Sequence, residues 1–312
     1  MKSFCCSLLL LFSSGIYLTA QNIAEPIGIK IKNLPAQQEF SAMAWKGNDS
    51  LFIIAQRNTD SFFYVKKDRI QASLDSSKEL ELQSVPVLGL TKFANSLKKS
   101  KDGKYDGIEA CVFIGNKVFI SIETPGNVCY ILQGKYDGVS FIFDSKDCVT
   151  LPKPYKCNYG YENMVRLSDG RILAIFEGAK DFIHHAGYVF TEKMNDTIRT
   201  FVFCDSYRKN NGRELRLADV CNYKGGLLAI DLERDTNNNN CVSRIVSLTD
   251  KGNSFSADVI ANLNYDMPKS KAMIKCVNFE GIAEFGDGIL VISDNNPPKN
   301  NGTTYLYYYK LK

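Results

Sequence analysis

The chain has 312 residues, of which 45% are hydrophobic and 23% charged, so it is long enough for one large globular domain or two small ones. Its net charge is only +4, and its 38 Lys and Arg residues are scattered, without a basic helix or arm. This distribution excludes nucleic acid as an expected partner.

The N-terminus combines a short basic start with an apolar stretch that ends in small residues. Lys2 precedes the apolar run 8–12, and the stretch closes on Ala20. This order predicts a signal peptide over residues 1–20 and therefore a secreted or periplasmic protein. A membrane anchor is the alternative, but the run is short and interrupted, and no later segment is apolar enough to cross a bilayer. We expect residues 21–312 to form a single domain and a monomer.

Eight cysteines follow the predicted signal peptide. An even number in an exported chain permits disulfides, but the spacing fixes no pairing. Several of these cysteines lie inside apolar runs, where a buried free thiol is the other interpretation. None belongs to a CxxC pair, so the sequence does not predict a zinc knuckle.

One hairpin pattern recurs along the chain: an apolar run, a Gly or Asn turn, and a second apolar run. The copies cover residues 40–57, 108–124, 161–178, 218–235 and 278–296. Further strand-like runs follow each of the first four copies, whereas the last is followed by a single run. A strand at 27–34 would complete the last sheet. The pattern predicts an all-β fold, a β-propeller whose ring is closed by an N-terminal strand.

Five blades follow from the five copies, and six blades are the alternative. A sixth could lie within residues 68–106, but that segment holds one clear strand and a polar, Lys-rich stretch. We therefore predict an insertion at about 87–107, partly helical, within the propeller domain.

Acidic residues recur at both ends of these hairpins, 14 or 15 residues apart. The two ends of an antiparallel hairpin are neighbours in space, so in a propeller the acids should gather at one mouth of the central channel. The first column of acids is Glu109, Glu162, Asp219 and Glu280, and the second column is Gln56, Glu123, Glu177, Glu233 and Asp294.

So many carboxylates in one place need counter-charge, protonation or a metal. Oxygen ligands suit Ca²⁺, with Mg²⁺ as the less favoured choice, and not zinc or copper. Alternatively, each acid caps backbone N–H groups or pairs with a basic neighbour, and so holds adjacent blades together. The predicted metal ligands are Glu109, Glu162, Asp219, Glu280 and Asp294.

Basic residues near the second column lead to a catalytic hypothesis. A metal combined with Arg and His side chains suits the hydrolysis of a small-molecule phosphate or carboxylic ester. Because no nucleophile motif is present, a metal-activated water would attack. The alternative function is a non-catalytic propeller that binds a ligand or a protein partner through the same mouth. The predicted catalytic residues are Glu162, Glu280, His184 and Arg234.

The stretch "FEGIAEFGDGILVISDNN", followed by "TTYLYYYKL", resembles the closing repeat of the secreted phytase-like, or esterase-like-phytase, β-propellers. "YENMVRLSDGRILAIFEG" is similar to another repeat of that family. The resemblance implies an exported, metal-binding propeller with phosphoesterase or esterase activity. A weaker resemblance links the chain to the calcium-activated nucleotidases, which are five-bladed with a central calcium. The positions that match the phytase-like motif are Glu109, Glu162, Asp219, Glu280 and Asp294.

Overall fold

The computed structural model describes residues 26–32, 34, 39–97, 104–155, 159–179, 183–207, 214–235, 240–263, 278–293 and 304–311, and for 214, 234, 235, 240 and 241 the backbone alone. The expected all-β class is confirmed, since two short helices, α1 Lys67–Ser76 and α2 Leu90–Leu97, accompany many strands. Neither is long or apolar enough to cross a membrane, and the described ranges contain no helix that is.

The strands are described here in chain order. They are β1 Ile27–Lys32, β2 Phe40–Lys46, β3 Ser50–Ala55, β4 Ser61–Lys66, β5 Leu80–Glu81, β6 Gln83–Leu88, β7 Gly107–Ile114, β8 Lys117–Glu123, β9 Val128–Tyr136, β10 Phe141–Pro152, β11 Asn163–Arg166, β12 Ile172–Ile175, β13 His184–Phe190, β14 Ile198–Phe203, β15 Glu214–Tyr223, β16 Gly226–Asp235, β17 Asn240–Asp250, β18 Phe255–Asn262, β19 Phe279–Phe285, β20 Gly288–Ser293 and β21 Tyr305–Lys310.

The five predicted hairpins are all antiparallel strand pairs: β2–β3, β7–β8, β11–β12, β15–β16 and β19–β20. Two of their turns show why the sequence places glycine there. Gly115 and Gly286 begin two-residue loops with φ of +60° and +59°. A type II′ hairpin turn needs this positive φ at its first position, and glycine adopts it without steric cost.

The strands form three sheets. Two have eight strands, in the orders β2-β3-β4-β6-β10-β9-β8-β7 and β11-β12-β13-β14-β18-β17-β16-β15, and the third is β19-β20-β21-β1-β5. Each eight-stranded sheet consists of two antiparallel groups of four, joined where their outer strands run parallel. In the third sheet, β1 pairs antiparallel with β21 and parallel with β5.

The first strands of the hairpins follow one another around a ring. β2 contacts β7, β7 contacts β11, β11 contacts β15, β15 contacts β19, and β19 contacts β2. Five clusters of buried apolar side chains fill the spaces between neighbouring groups. Because each group packs on both faces, its second strand is largely buried, and SLFIIA of β3 and GILVIS of β20 are buried throughout.

Helix α2 lies inside the predicted insertion and packs Leu90, Phe93 and Leu97 into the core cluster between the first two groups of strands. Helix α1, which was not predicted, follows β4 and buries Ile70. The described cysteine side chains are free thiols, so the buried-thiol interpretation holds for four of them; these cysteines are Cys111, Cys129, Cys204 and Cys221, all buried, and Cys148, which is partly exposed.

Candidate functional site

Near the start of four first strands, the register shifts by one residue. Glu109 is the extra residue in β7, Glu280 in β19 and Ser41 in β2. In β15 the extra residue is Ala218, so Asp219 lies one position further along the strand. The 14-residue spacing had placed Asp219 in the same column as Glu109 and Glu280, and the observed register separates it from them.

The carboxylate of Asp219 is used by the backbone. It accepts hydrogen bonds from the N–H groups of Val220 and Ile282, each at 2.8 Å. Burial raises the pKa of Asp219 well above its usual value, although these N–H groups lower it. Asp219 therefore joins β15 to β19. This is the role that the alternative interpretation, an acid that caps backbone N–H groups, gives to such a residue.

Two further polar side chains connect neighbouring first strands in the same way. Ser41 Oγ donates to the carbonyl of Ile108 at 2.6 Å, which links β2 to β7. Asn163 Nδ2 donates to the carbonyl of Leu217 at 2.6 Å, which links β11 to β15. Neither residue carries a charge, so these contacts serve the ring of strands without adding to its acidity.

The other acids of the first column meet around one cation, Arg216. Arg216 Nη2 lies 3.5 Å from Glu162 Oε1 and also contacts Glu177 Oε1. Burial lowers the pKa of Arg216, but the charges of Glu162, Glu280, Tyr159 and Glu109 raise it by more, so the guanidinium stays charged. We call this group the mouth cluster: Glu109, Glu162, Glu177, Glu280 and Arg216.

Within the mouth cluster Glu109 is a buried carboxyl that lies near other acids. Its side chain is buried, and Gln56 Nε2 donates to its Oε1 at 2.8 Å. Burial raises the pKa of Glu109 well above the usual value, and the carboxylates of Glu162, Glu123 and Glu280 raise it further. Burial therefore favours the protonated form of Glu109, whereas Glu162 is ion-paired with Arg216. Glu280, which is partly exposed, accepts a hydrogen bond from Asn278.

Two acids of the second column, Glu123 and Glu233, form ion pairs with cations that lie outside the hairpins. Lys153 Nζ, fully buried, lies 3.1 Å from Glu123 Oε1 and donates to the carbonyl of Thr124 at 2.6 Å. Arg244 of β17 contacts Glu233 and lies 2.9 Å from Asp231. Neither cation was predicted, because each comes from a different strand or loop and its position does not recur in the other repeats.

Lys153→Met is expected to show a pH-dependent loss of stability. Burial raises the pKa of Glu123 to about 7 from a usual 4.5, with Lys153 opposing the shift. A raised pKa means that the contribution of Glu123 to stability is full below 4.5 and is lost as pH rises through about 7. Without Lys153 the ionised carboxylate is buried alone, so the free energy of unfolding should fall by about 3 kcal/mol at pH 8.

At pH 5 Glu123 is protonated, and the same substitution should cost much less. Urea unfolding of both proteins at the two pH values measures the difference. Equal losses at pH 5 and pH 8 would contradict the assignment of the pair.

The remaining predicted residues lie in three different situations. His184 begins β13, and its ring packs edge-on against Phe203 with centroids 4.8 Å apart. Arg234 lies in β16, where its backbone pairs with Glu214 and its side chain is outside the described residues. Asp294, directly after β20, is also outside them.

A calcium ion would need several oxygen ligands at the mouth. The carboxylates have the right chemistry, but Asp219 is bonded to backbone N–H groups and Arg216 lies among the others. No three acidic, His or Cys side chains in the described part of the chain form a group that could hold a metal ion. These residues alone therefore do not fit a calcium ion, and the calcium site stays a prediction.

No family model matches the sequence, so the phytase-like resemblance also stays a prediction. No curated protein matches it either. Solved structures do resemble the fold. One is an exo-β-1,3-galactanase from Phanerochaete chrysosporium, 8% identical, with a TM-score of 0.54 over 93% of this chain. Another is an exo-1,5-α-L-arabinanase from a bovine ruminal metagenomic library, 9% identical, with a TM-score of 0.52 over 88% of this chain and 95% of that one.

The chain spans 64% of the galactanase chain, which is under two thirds of its length. At identities this low the similarity concerns the fold alone. Together with the sheet order and the ring of first strands, it assigns this chain to the β-propellers.

Proposed function

We propose that the chain is a hydrolase whose chemistry is performed by the carboxyl groups of the mouth cluster. One observation carries the proposal: Glu109, a buried carboxyl of raised pKa, lies beside Glu162, which is ion-paired with Arg216. Enzymes that split glycosidic bonds use this division, in which one carboxyl keeps its proton while its neighbour is ionised.

In the proposed reaction the two carboxyls have opposite roles. Glu109 donates its proton to the oxygen of the leaving group as the bond to that oxygen breaks. Glu162 accepts a proton from the attacking water, and the oxygen of that water forms a new bond to the carbon from which the leaving group departs. Arg216 stays paired with Glu162 and Glu177, so it holds the base in place. Glu280, which is partly exposed, is placed to bind the substrate at the entrance.

The charge of the site favours an uncharged bond as the target. The mouth cluster has four carboxyls and one guanidinium, so its acidic side chains outnumber its basic one. A phosphate ester would be repelled, whereas a glycoside would not. The names of the galactanase and the arabinanase show that this fold carries such chemistry. We therefore propose a glycosidic bond as the substrate class.

The predicted metal-dependent hydrolysis of phosphate or carboxylic esters is the second candidate. It is favoured by the all-oxygen character of the acids, and it requires Ca²⁺ or Mg²⁺ to offset their charge. A binding propeller without turnover is the third candidate. It is favoured by Asp219, whose carboxylate already has backbone partners.

A panel of nitrophenyl substrates separates these candidates. We expect turnover of glycosides in EDTA, and no turnover of nitrophenyl phosphate or acetate. Turnover of the phosphate or the acetate that appears only with added Ca²⁺, together with a higher melting midpoint, would favour the second candidate instead. No turnover of any substrate and no shift with Ca²⁺, in protein freed of metal, would leave the binding propeller.

We also infer that the propeller has five blades and that β1 closes its ring. The five antiparallel groups, the β1–β21 pairing and the return contact of β19 with β2 support this. Export of residues 21–312 after removal of a signal peptide is part of the same proposal. It fails if the intact mass of the mature protein does not match a chain that begins at Gln21.

A further inference from the structure

A cavity of about 570 Å³ lies on the outer part of the group of strands β11–β14. It is bounded by the hairpin β13–β14 on one side and by the segment that follows β10 on the other. We call it the aromatic groove. Its lining residues are Pro154, Tyr155, Gly178, His184, Ala186, Arg199, Phe201 and Phe203.

The alternation of β14 builds the floor of the groove. Arg199, Phe201 and Phe203 point to the same face of the sheet, because side chains two residues apart do so in a strand. Ala186, which has a small side chain, stands opposite Phe201 in the register. The rings of Phe201 and Phe203 are 6.2 Å apart and inclined by 34°, so together they form a platform. His184 packs edge-on at its end.

A cation lies beside this platform. The guanidinium of Arg199 stacks over Phe201 at 5.0 Å from the ring centroid, and the residue is exposed. Within the described ranges no carboxylate forms an ion pair with Arg199, unlike Arg171, Arg216 and Arg244. Its planar donors are therefore available to a ligand that rests on the two rings.

The aromatic groove begins one residue away from the mouth cluster. Gly178, which lines it, directly follows Glu177 and forms a backbone bridge with Arg216. A Cβ at Gly178 would lie 2.4 Å from Tyr155 Oη and 2.5 Å from Tyr159 Cδ2. The absence of a side chain there lets these two tyrosines fit between the acids and the groove.

We propose that the aromatic groove binds a sugar ring that carries a carboxylate, in a part of the substrate remote from the bond that is split. The C–H face of a pyranose is apolar and packs on aromatic rings, and the arginine fork pairs with a carboxylate through two parallel hydrogen bonds. This inference rests on the proposed function for the identity of the substrate. It adds that the saccharide is neutral at the mouth and acidic at a distance.

Binding is tested by calorimetry with the disaccharide glucuronosyl-galactose, which is acidic at one ring and neutral at the other, and with its methyl ester. Using the full chain with Glu109→Gln prevents turnover under the proposed mechanism. The acid should bind at least about tenfold more tightly than the ester. Adding Arg199→Met should remove that difference and leave ester binding unchanged. Adding Phe201→Ala should weaken both ligands, and Phe201→Leu replaces it if the alanine variant does not fold.

Arg166→Met, which changes an exposed arginine of β11, is the matched control and should alter neither affinity. The inference is overturned if the acid does not bind, if acid and ester bind equally, or if Arg199→Met leaves binding of the acid unchanged. Binding with these properties in a protein that hydrolyses no glycoside would refute the proposed function but keep the groove as a saccharide site.

Discussion

Arg216→Met is expected to lower the free energy of unfolding by about 5 kcal/mol, at the upper end of the range for breaking a buried ion pair. The guanidinium lies between Glu162 and Glu177, and the side chain of Glu177 is completely buried. Methionine fills much of the same volume but leaves both carboxylates without their cation. Urea unfolding followed by the fluorescence of Trp45, the single tryptophan, measures the loss.

The matched control is Arg171→Met, which breaks an exposed pair with Asp169 at 2.6 Å. That change should cost at most about 1 kcal/mol, because water screens the pair. The double variant Arg216→Met with Glu177→Gln should recover part of the loss, since it removes one of the uncompensated charges. A loss in Arg216→Met no larger than that of the control would show that the cation does not hold the acids.

Glu109→Gln is expected to lower the rate of glycoside hydrolysis by about 10²–10⁴-fold, the usual contribution of a general acid. Glutamine keeps the size of the side chain and the hydrogen bond with Gln56, but it cannot transfer a proton to the leaving group. The pKa of Glu109 is raised in the folded chain, so the stability that its protonated form contributes is lost as pH rises above the usual 4.5. The variant should therefore be more stable than the wild type at pH 8, by a margin that vanishes in acid.

A combined loss of rate and gain of stability separates catalysis from damage to the fold. Glu284→Gln is the control, because Glu284 lies near the end of β19 opposite to Glu280 and is not a member of the mouth cluster. Its rate should equal that of the wild type. A full rate in Glu109→Gln would remove this carboxyl from the mechanism.

The β-hairpins could be predicted because each depends on residues that are close together in the sequence. An apolar run, a glycine turn and a second apolar run lie within 20 residues, and the turn at Gly286 specifies its own backbone geometry. The strand at Ile27–Lys32 could also be predicted, because isoleucine alternates with glycine or lysine in its sequence. Helix α1 was missed, because it begins without a side-chain cap and buries few residues.

The site was predicted less completely than the fold. Spacing placed Asp219 with the other acids, but it does not reveal which residue is the extra one in a β-bulge, and here that residue is Ala218. The cation of the mouth cluster is Arg216, whereas the catalytic role predicted for Arg234 stays a prediction. Lys153 and Arg244, which pair with other acids of the hairpins, come from unrelated positions along the chain, so no repeat marks them. His184 begins β13 and lines the aromatic groove, so it is not a member of the mouth cluster.

The parallel contacts between outer strands have a consequence for the behaviour of the protein in solution. An unpaired outer strand offers its N–H and C=O groups to any other chain that can extend the sheet. Here β6 pairs with β10, β14 with β18, and β1 with β5, so the outermost strand of every antiparallel group has a neighbour from the same molecule. Leu88 and Ile142, both exposed and apolar, stand opposite each other at one of these junctions. Each of these parallel contacts joins two residue pairs, so it shields part of an outer strand from edge-to-edge pairing with another molecule.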